Sequence, residues 1–277
     1  MSAASQAARK GPARLASPDH LELIACGPDS SAHPPLLFVH GAYAGAWCWS
    51  EHFMPYFAQA GFRSYALSVR GHGESHGREG LALHSLADYV DDLEEAIAHI
   101  GCAPIVIGHS MGGIVAQKYL ERASLPGTVL LASVPPQGML TASFNLALLK
   151  PQLFSALNGL IYEGGVSLEA MREALFAGPV SLDRLTRYYA LMQPESPRAL
   201  WDMTFFDLPQ RWRMQVPPLL VLGAERDLMV PPHQVAQCAL AYSVEAEIFP
   251  AMGHAMMLEA GWQRVAERIV GWLRSLG

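Results

Sequence analysis

The sequence predicts an α/β fold: a mainly parallel central sheet flanked by helices, with an inserted helical block. Three observations carry this. Short apolar runs of strand length recur along the chain, continuous rather than alternating, as in strands buried on both faces. Longer stretches with helical spacing of apolar residues separate them. The alternation lapses once, between Pro135 and Gln215, where no strand-like run occurs. A chain of 277 residues, 51% apolar, is long enough to bury such a core as one domain. Its 16% of charged residues excludes a disordered chain.

Taken in order, Pro35–His40 (PLLFVH) is the first strand. Trp47–Ala60 reads as a helix, with Trp49, Phe53, Tyr56, Phe57 and Ala60 on one face and Gly61 as its stop. Phe62–Val69 is a strand. Leu86–Ile100 is a helix whose apolar face holds Tyr89, Val90, Leu93, Ile97 and Ile100, with Asp91, Asp92, Glu94 and Glu95 expected outside. Ala103–Ile107, helix Met111–Arg122 and Thr128–Val134 continue the rhythm. The helical block reads as Met139–Leu149, Leu153–Tyr162, Leu168–Phe176, Leu182–Met192 and Pro197–Phe206, and looks like an insertion at one end of the sheet. Pro218–Leu222, helix Pro232–Tyr242, Ala246–Pro250 and helix Trp262–Leu276 complete the chain. Met1–Pro18 carries Arg9, Lys10 and Arg14 without an apolar core, and is expected to be a disordered arm rather than a secretory signal.

The net charge of −6 offers no basic excess for a nucleic-acid backbone. No uncharged apolar run reaches the ~18 residues of a membrane span. Cys26, Cys48, Cys102 and Cys238 form no CxxC pair, and are expected to be buried free thiols in a reducing, cytoplasmic setting.

The chemistry concentrates at strand ends. Gly108-His109-Ser110-Met111-Gly112 follows a strand and opens a helix, the context that a G-x-S-x-G turn requires. Gly108 and Gly112 remove Cβ atoms that would collide across so tight a turn. Ser110 then points out at the start of a helix, where free N–H groups favour developing negative charge. A serine hydroxyl needs a base and an orienting carboxylate. Of eleven histidines, His254 is best placed, in a Gly loop after a strand. His109 is expected to point away from the nucleophile, and His40 to brace loops. His72 and His76 flank Glu74 in a stretch too Gly-rich for one helical face, so no metal is expected there. Asp227, in Gly223-Ala224-Glu225-Arg226-Asp227 after PLLVL, is the expected carboxylate, with Glu225 as competitor.

The order Ser110, Asp227, His254, together with His40-Gly41, Arg70–Ser75 (RGHGES), Gly108–Gly113 (GHSMGG) and Gly253-His254, resembles the α/β-hydrolase family from about Leu21 to Gly277. The resemblance implies an oxyanion hole made by the N–H groups of Ala42 and Met111, each worth about 3 kcal/mol at the transition state. It also implies that residues 135–215 are a cap over a core made of residues 19–134 and 216–277, after an arm of residues 1–18. The stretch His40–Trp49 is similar to the plant methylesterase and hydroxynitrile-lyase branch. The lyases there carry Lys after the catalytic His; Ala255 stands here and argues against cyanohydrin cleavage. Ser110 argues against haloalkane dehalogenases and epoxide hydrolases, which carry Asp at the elbow.

The block 135–215 is rich in Met and aromatic residues, and methionine fits irregular apolar ligands. Met171, Met192, Trp201 and Phe205 are the expected substrate contacts. Arg172, Arg184, Arg187, Arg198, Arg211 and Arg213 could bind a substrate anion or simply face solvent. The expectation is a cofactor-independent serine hydrolase that cleaves small carboxylic esters with an apolar acyl or alcohol part through an acyl-enzyme intermediate. Carbon–carbon bond hydrolysis or cofactor-free dioxygenation is a second expectation. A non-catalytic small-molecule receptor is a third, and the intact Ser110, Asp227 and His254 weigh against it.

Overall fold

The computed structural model describes residues 13–16, 21–155 and 167–276. The strands are β1 (Ala13–Ala16), β2 (Glu22–Cys26), β3 (Leu36–Val39), β4 (Ser64–Ser68), β5 (Ile105–His109), β6 (Thr128–Leu131), β7 (Leu219–Ala224) and β8 (Ala246–Phe249). They form one sheet in the order β1-β2-β4-β3-β5-β6-β7-β8. From β4 to β8 every neighbour is parallel; β2 runs antiparallel to β4, and β1 antiparallel to β2.

The parallel strands read as unbroken apolar runs because both faces are covered. Side chains alternate between two cores. Leu36, Phe38, Ile105, Ile107, Leu220 and Leu222 meet α1 (Trp47–Ser50), α2 (Phe53–Gln59) and the C-terminal helix on one face. Leu37, Val39, Val106, Leu130 and Val221 meet α3 (Leu86–Ile100), α4 (Met111–Tyr119) and the helix before β8 on the other. The Phe38 ring stacks on Trp49 at 4.8 Å. Helix α3 keeps its expected bounds, between a Ser85–Asp88 capping box and Gly101 in the left-handed region at φ 81°.

Between β6 and β7 lie α5 (Leu140–Leu149), a helical stretch at 151–155, α6 (Leu168–Leu175), α7 (Leu182–Leu191), α8 (Pro197–Trp201), a π turn at Asp202–Phe206 and a short 3₁₀ turn. Then α9 (Pro232–Ala241) and α10 (Trp262–Ser275) alternate with β7 and β8. No helix among the described residues is long and apolar enough to cross a membrane.

Several expectations need correction. Strands β1 and β2 lack a signal that periodicity alone detects, and Ala13–Ala16, expected within an arm, pairs with β2 because Glu22–Cys26 otherwise leaves an open edge. The rest of that arm, residues 1–12 and 17–18, lies outside the described residues, as does the part of helix Leu153–Tyr162 beyond residue 155. The expected helix Trp47–Ala60 is two. Pro55 has no N–H to give the Glu51 carbonyl, and the chain breaks at His52 (φ −137°) before α2 starts. Asp92 is fully buried rather than outside: its carboxylate accepts from the Arg70 backbone N–H at 2.7 Å and from Arg70 Nε at 2.8 Å. Cys102 is exposed, in the turn after α3, while the other three thiols are buried.

Candidate active site

All three residues expected to carry the chemistry emerge at the carboxyl ends of parallel strands, where such sheets place their ligand sites. Ser110 lies between β5 and α4 at φ 53°, ψ −115°. For a residue with a Cβ this costs about 1–3 kcal/mol, so its surroundings must enforce it. They do so with backbone bonds. Ser110 N–H donates to the Leu131 carbonyl (3.1 Å), and its carbonyl accepts from Gly113 N–H (3.0 Å) and Val134 N–H (3.1 Å). A Cβ on Gly108 would strike the Gly112 carbonyl, and one on Gly112 would strike the carbonyls of Val39 and His40. Only glycine allows the strand and helix to close this tightly around the serine.

Asp227 follows β7 and His254 follows β8, both buried. His254 Nδ1 donates to Asp227 Oδ2 at 2.7 Å. Asp227 Oδ1 accepts from the N–H groups of Met229 and Val230, each at 2.8 Å, so three donors converge on this carboxylate. Glu225 points elsewhere and accepts from Ala251 N–H at 2.8 Å. With Nδ1–H committed to Asp227, the imidazole Nε2 is left as a proton acceptor.

His109 departs from expectation. Its ring turns toward the histidine loop, 4.7 Å from the His254 ring, and its Nε2 donates to the His254 carbonyl at 2.9 Å. Burial, and next the charge that His254 could carry, hold His109 well below the usual histidine range. His40 braces two loops: Nδ1 donates to the Gly41 carbonyl (2.8 Å) and Nε2 accepts from Val69 N–H (3.1 Å). Burial pulls its pKa down to about 4, assisted by the neighbouring His72. His72 forms a buried ion pair with Glu195 at 3.1 Å and also faces the Arg70 carbonyl. Among the described residues no group of His, Cys, Asp or Glu is placed to hold a metal.

Ser110 and His254 open onto a cavity of about 240 Å³. Ala42 lines it, and Met111, the first residue of α4, is fully buried directly after Ser110. Trp47, Cys48, Val134, Met229 and Met257 contribute from the sheet side and its loops, and Phe176 from the end of α6. The block after β6 contributes Met139, Leu146, Phe154, Met171, Met192 and Met203. Among the described residues no Asp, Glu, Lys or Arg lines this cavity. Of the four expected substrate contacts, Met171 and Met192 line this cavity, whereas Trp201 and Phe205 do not. Their rings lie 5.2 Å apart at a 44° tilt and remain partly exposed, Trp201 at the end of α8 and Phe205 in the π turn that follows. Nor does any of the candidate anion-binding arginines reach the cavity: Arg184 and Arg187 pair with Glu51, Arg198 with Asp202 and Arg213 with Glu121.

Two buried carboxylates that sequence reasoning missed tie this block to the loops around Ser110. Glu259 accepts from Ala177 and Gly178 N–H (2.7 and 2.6 Å) and from Gly253 N–H, beside His254. Glu195 accepts from Tyr43 N–H (3.3 Å), beside Ala42, and from the Tyr89 hydroxyl (2.6 Å). Neither stands at a strand end, so only its fold neighbours reveal it. The Pro-flanked polar stretch Gln193–Ser196 in an otherwise apolar block was the available signal.

The chain is 23% identical over 259 residues to a monoacylglycerol lipase of Mycolicibacterium smegmatis, covering 90% of each. It is 29% identical over 125 residues to methyl jasmonate esterase 1 of Vitis vinifera, covering 44% of this chain and 46% of that one. The crystal structure of Paleococcus ferrophilus monoacylglycerol lipase shares the fold at a TM-score of 0.68 and 24% identity, covering 93% of this chain and 99% of that one. Residues 36–268, from β3 into α10, match the model of the alpha/beta hydrolase family, and with the sheet order and the Ser110 turn described above, the chain belongs to that family.

Proposed function

We propose that the protein is a serine hydrolase of carboxylic esters whose acyl or alcohol part is apolar. The observation that carries this reading is the convergence of a serine on a strained turn and a carboxylate-held histidine on one cavity with no charged side chain among the described residues that line it. In this reading His254 Nε2 takes the Ser110 proton as the hydroxyl oxygen attacks the ester carbonyl. Asp227 stabilises the imidazolium that forms. The N–H groups of Ala42 and Met111 receive the oxyanion, and the macrodipole of α4 adds to that field. His254 returns the proton to the leaving alcohol, and water completes the cycle through the same base. The helical block 135–215 acts as the cap, and its described residues supply apolar wall. The lipase and esterase names of its relatives support the ester class, and the small, uncharged cavity supports short to medium neutral chains.

The test is turnover of p-nitrophenyl esters of graded acyl length. Rates should climb from acetate toward medium chains by at most about fourfold per methylene, the worth of about 0.8 kcal/mol, and fall once the cavity is full. Absence of turnover across the whole series would remove the proposal.

A further inference from the structure

The turn that carries Ala42 is held from the cap. Ala44 N–H donates to the Gly41 carbonyl at 3.3 Å, which makes Gly41–Ala44 a tight turn with Ala42 and Tyr43 at its centre. Tyr43 sits at φ 64°, at the position where such turns ordinarily use glycine. A tyrosine there is strained and needs outside help. Both of its peptide groups receive it from the Gln193–Glu195 stretch. Gln193 N–H donates to the Tyr43 carbonyl at 3.0 Å, and Glu195 Oε2 accepts from Tyr43 N–H. Gln193 Oε1 also accepts from Gly73 N–H at 2.6 Å, which ties the same stretch to the RGHGES loop.

Glu195 is fully buried and meets donors on both oxygens. Oε1 accepts from the Tyr89 hydroxyl and from Ser196 N–H (2.7 Å), while Oε2 meets Tyr43 N–H and the His72 ring. Burial opposes its ionisation, yet the His72 charge and these hydrogen bonds hold its carboxyl below the ordinary range. A carboxamide at this place could offer one oxygen only. Whichever way it turned, its NH₂ would face donors.

We propose that Glu195 is a positioning residue: by fixing the strained Ala42–Tyr43 turn it aims the Ala42 N–H at the oxygen that becomes charged in the transition state. The proposal rests on the ester-hydrolase reading above. Glu195 touches neither the cavity nor the reacting atoms, and acts through the turn alone.

The experiment is kinetics of Glu195→Gln beside the wild type on one p-nitrophenyl ester. Two inhibitors accompany it: a trifluoromethyl ketone, whose serine adduct carries an oxyanion, and an apolar alcohol that fills the cavity without forming an adduct. A misaimed donor should cost kcat about 10- to 100-fold, short of the 10²- to 10³-fold expected for a deleted one, with KM changed less than threefold. Affinity for the ketone should fall by the same factor as kcat/KM, and affinity for the alcohol should hold. Tyr89→Phe removes one donor to Glu195 without unfolding risk of the same order, and should show the same split at up to about tenfold. Wild-type kcat in both variants would overturn the proposal, as would equal losses for the two inhibitors, which a merely structural role produces. These outcomes differ from failure of the ester reading, in which the wild type itself would not turn over.

Discussion

At Asp227, three donors meet one buried carboxylate, and this is what distinguishes it from Glu225 two residues earlier. The N–H groups of Met229 and Val230 fix Oδ1 and so aim Oδ2 at the imidazole. Asp227→Asn would put an amide where His254 needs an acceptor and favour the wrong tautomer, at a cost of about 10⁴ in kcat. Glu225→Gln keeps an oxygen for Ala251 N–H and should leave kcat within about twofold. Steady-state kinetics of the two variants checks the assignment, and a reversed result would move the acid to Glu225. The sequence identified this pair of candidates because both follow an apolar run directly. It was silent on Glu195 and Glu259, whose meaning depends on which loops fold against them.

At the scale of elements, the parallel strands were legible as unbroken apolar runs and the helices that flank them by the period of their buried face. Helix α3 is the clearest case, with a capping box at one end and a glycine at the other. The block between β6 and β7 was less so. It is apolar on several sides at once, so residue type could not say which rings line the cavity and which face out. That is why Met171 and Met192 fall on the wall while Trp201, at the end of α8, and Phe205, in the π turn after it, lie outside it. The difference yields a prediction for the block as a specificity element. Met171→Ala and Met192→Ala should shift the preferred acyl length of p-nitrophenyl esters upward by enlarging the cavity. Trp201→Ala and Phe205→Ala should leave the preferred length unchanged. A shift from the aromatic variants with none from the methionines would assign the substrate wall to the outer face. The arginines of this block were ambiguous for the same reason, since pairing with Glu51, Asp202 or Glu121 is visible only in three dimensions.

For the molecule as a whole, the loops around Ser110 are braced by histidines buried in their neutral form. His40 accepts from Val69 N–H, which an imidazolium cannot do, and burial lowers its pKa to about 4. Burial likewise holds His109 well down. Between the unfolded histidine value of about 6.5 and pH 4 the unfolded chain binds protons that the folded one refuses, so stability falls as pH falls. His72 has the opposite sign: burial disfavours its charge, but the Glu195 carboxylate outweighs that and raises it. Its contribution is complete below about 6.5 and is lost only as pH rises through its folded value. The melting temperature should therefore drop by several degrees from pH 7 to pH 5, and a flat profile would contradict the neutral assignment of His40 and His109.

Everything proposed for catalysis passes through one oxygen atom, so labelling it is the most direct measurement. The protein is treated with a fluorophosphonate, digested, and the adduct located by mass spectrometry, with ester turnover followed in parallel. A single adduct on the peptide carrying Ser110 is expected, with loss of turnover in proportion to labelling and no adduct in Ser110→Ala, whose kcat should fall by about 10⁶. An adduct on another residue, or turnover that survives complete labelling of Ser110, would contradict the proposed role of Ser110.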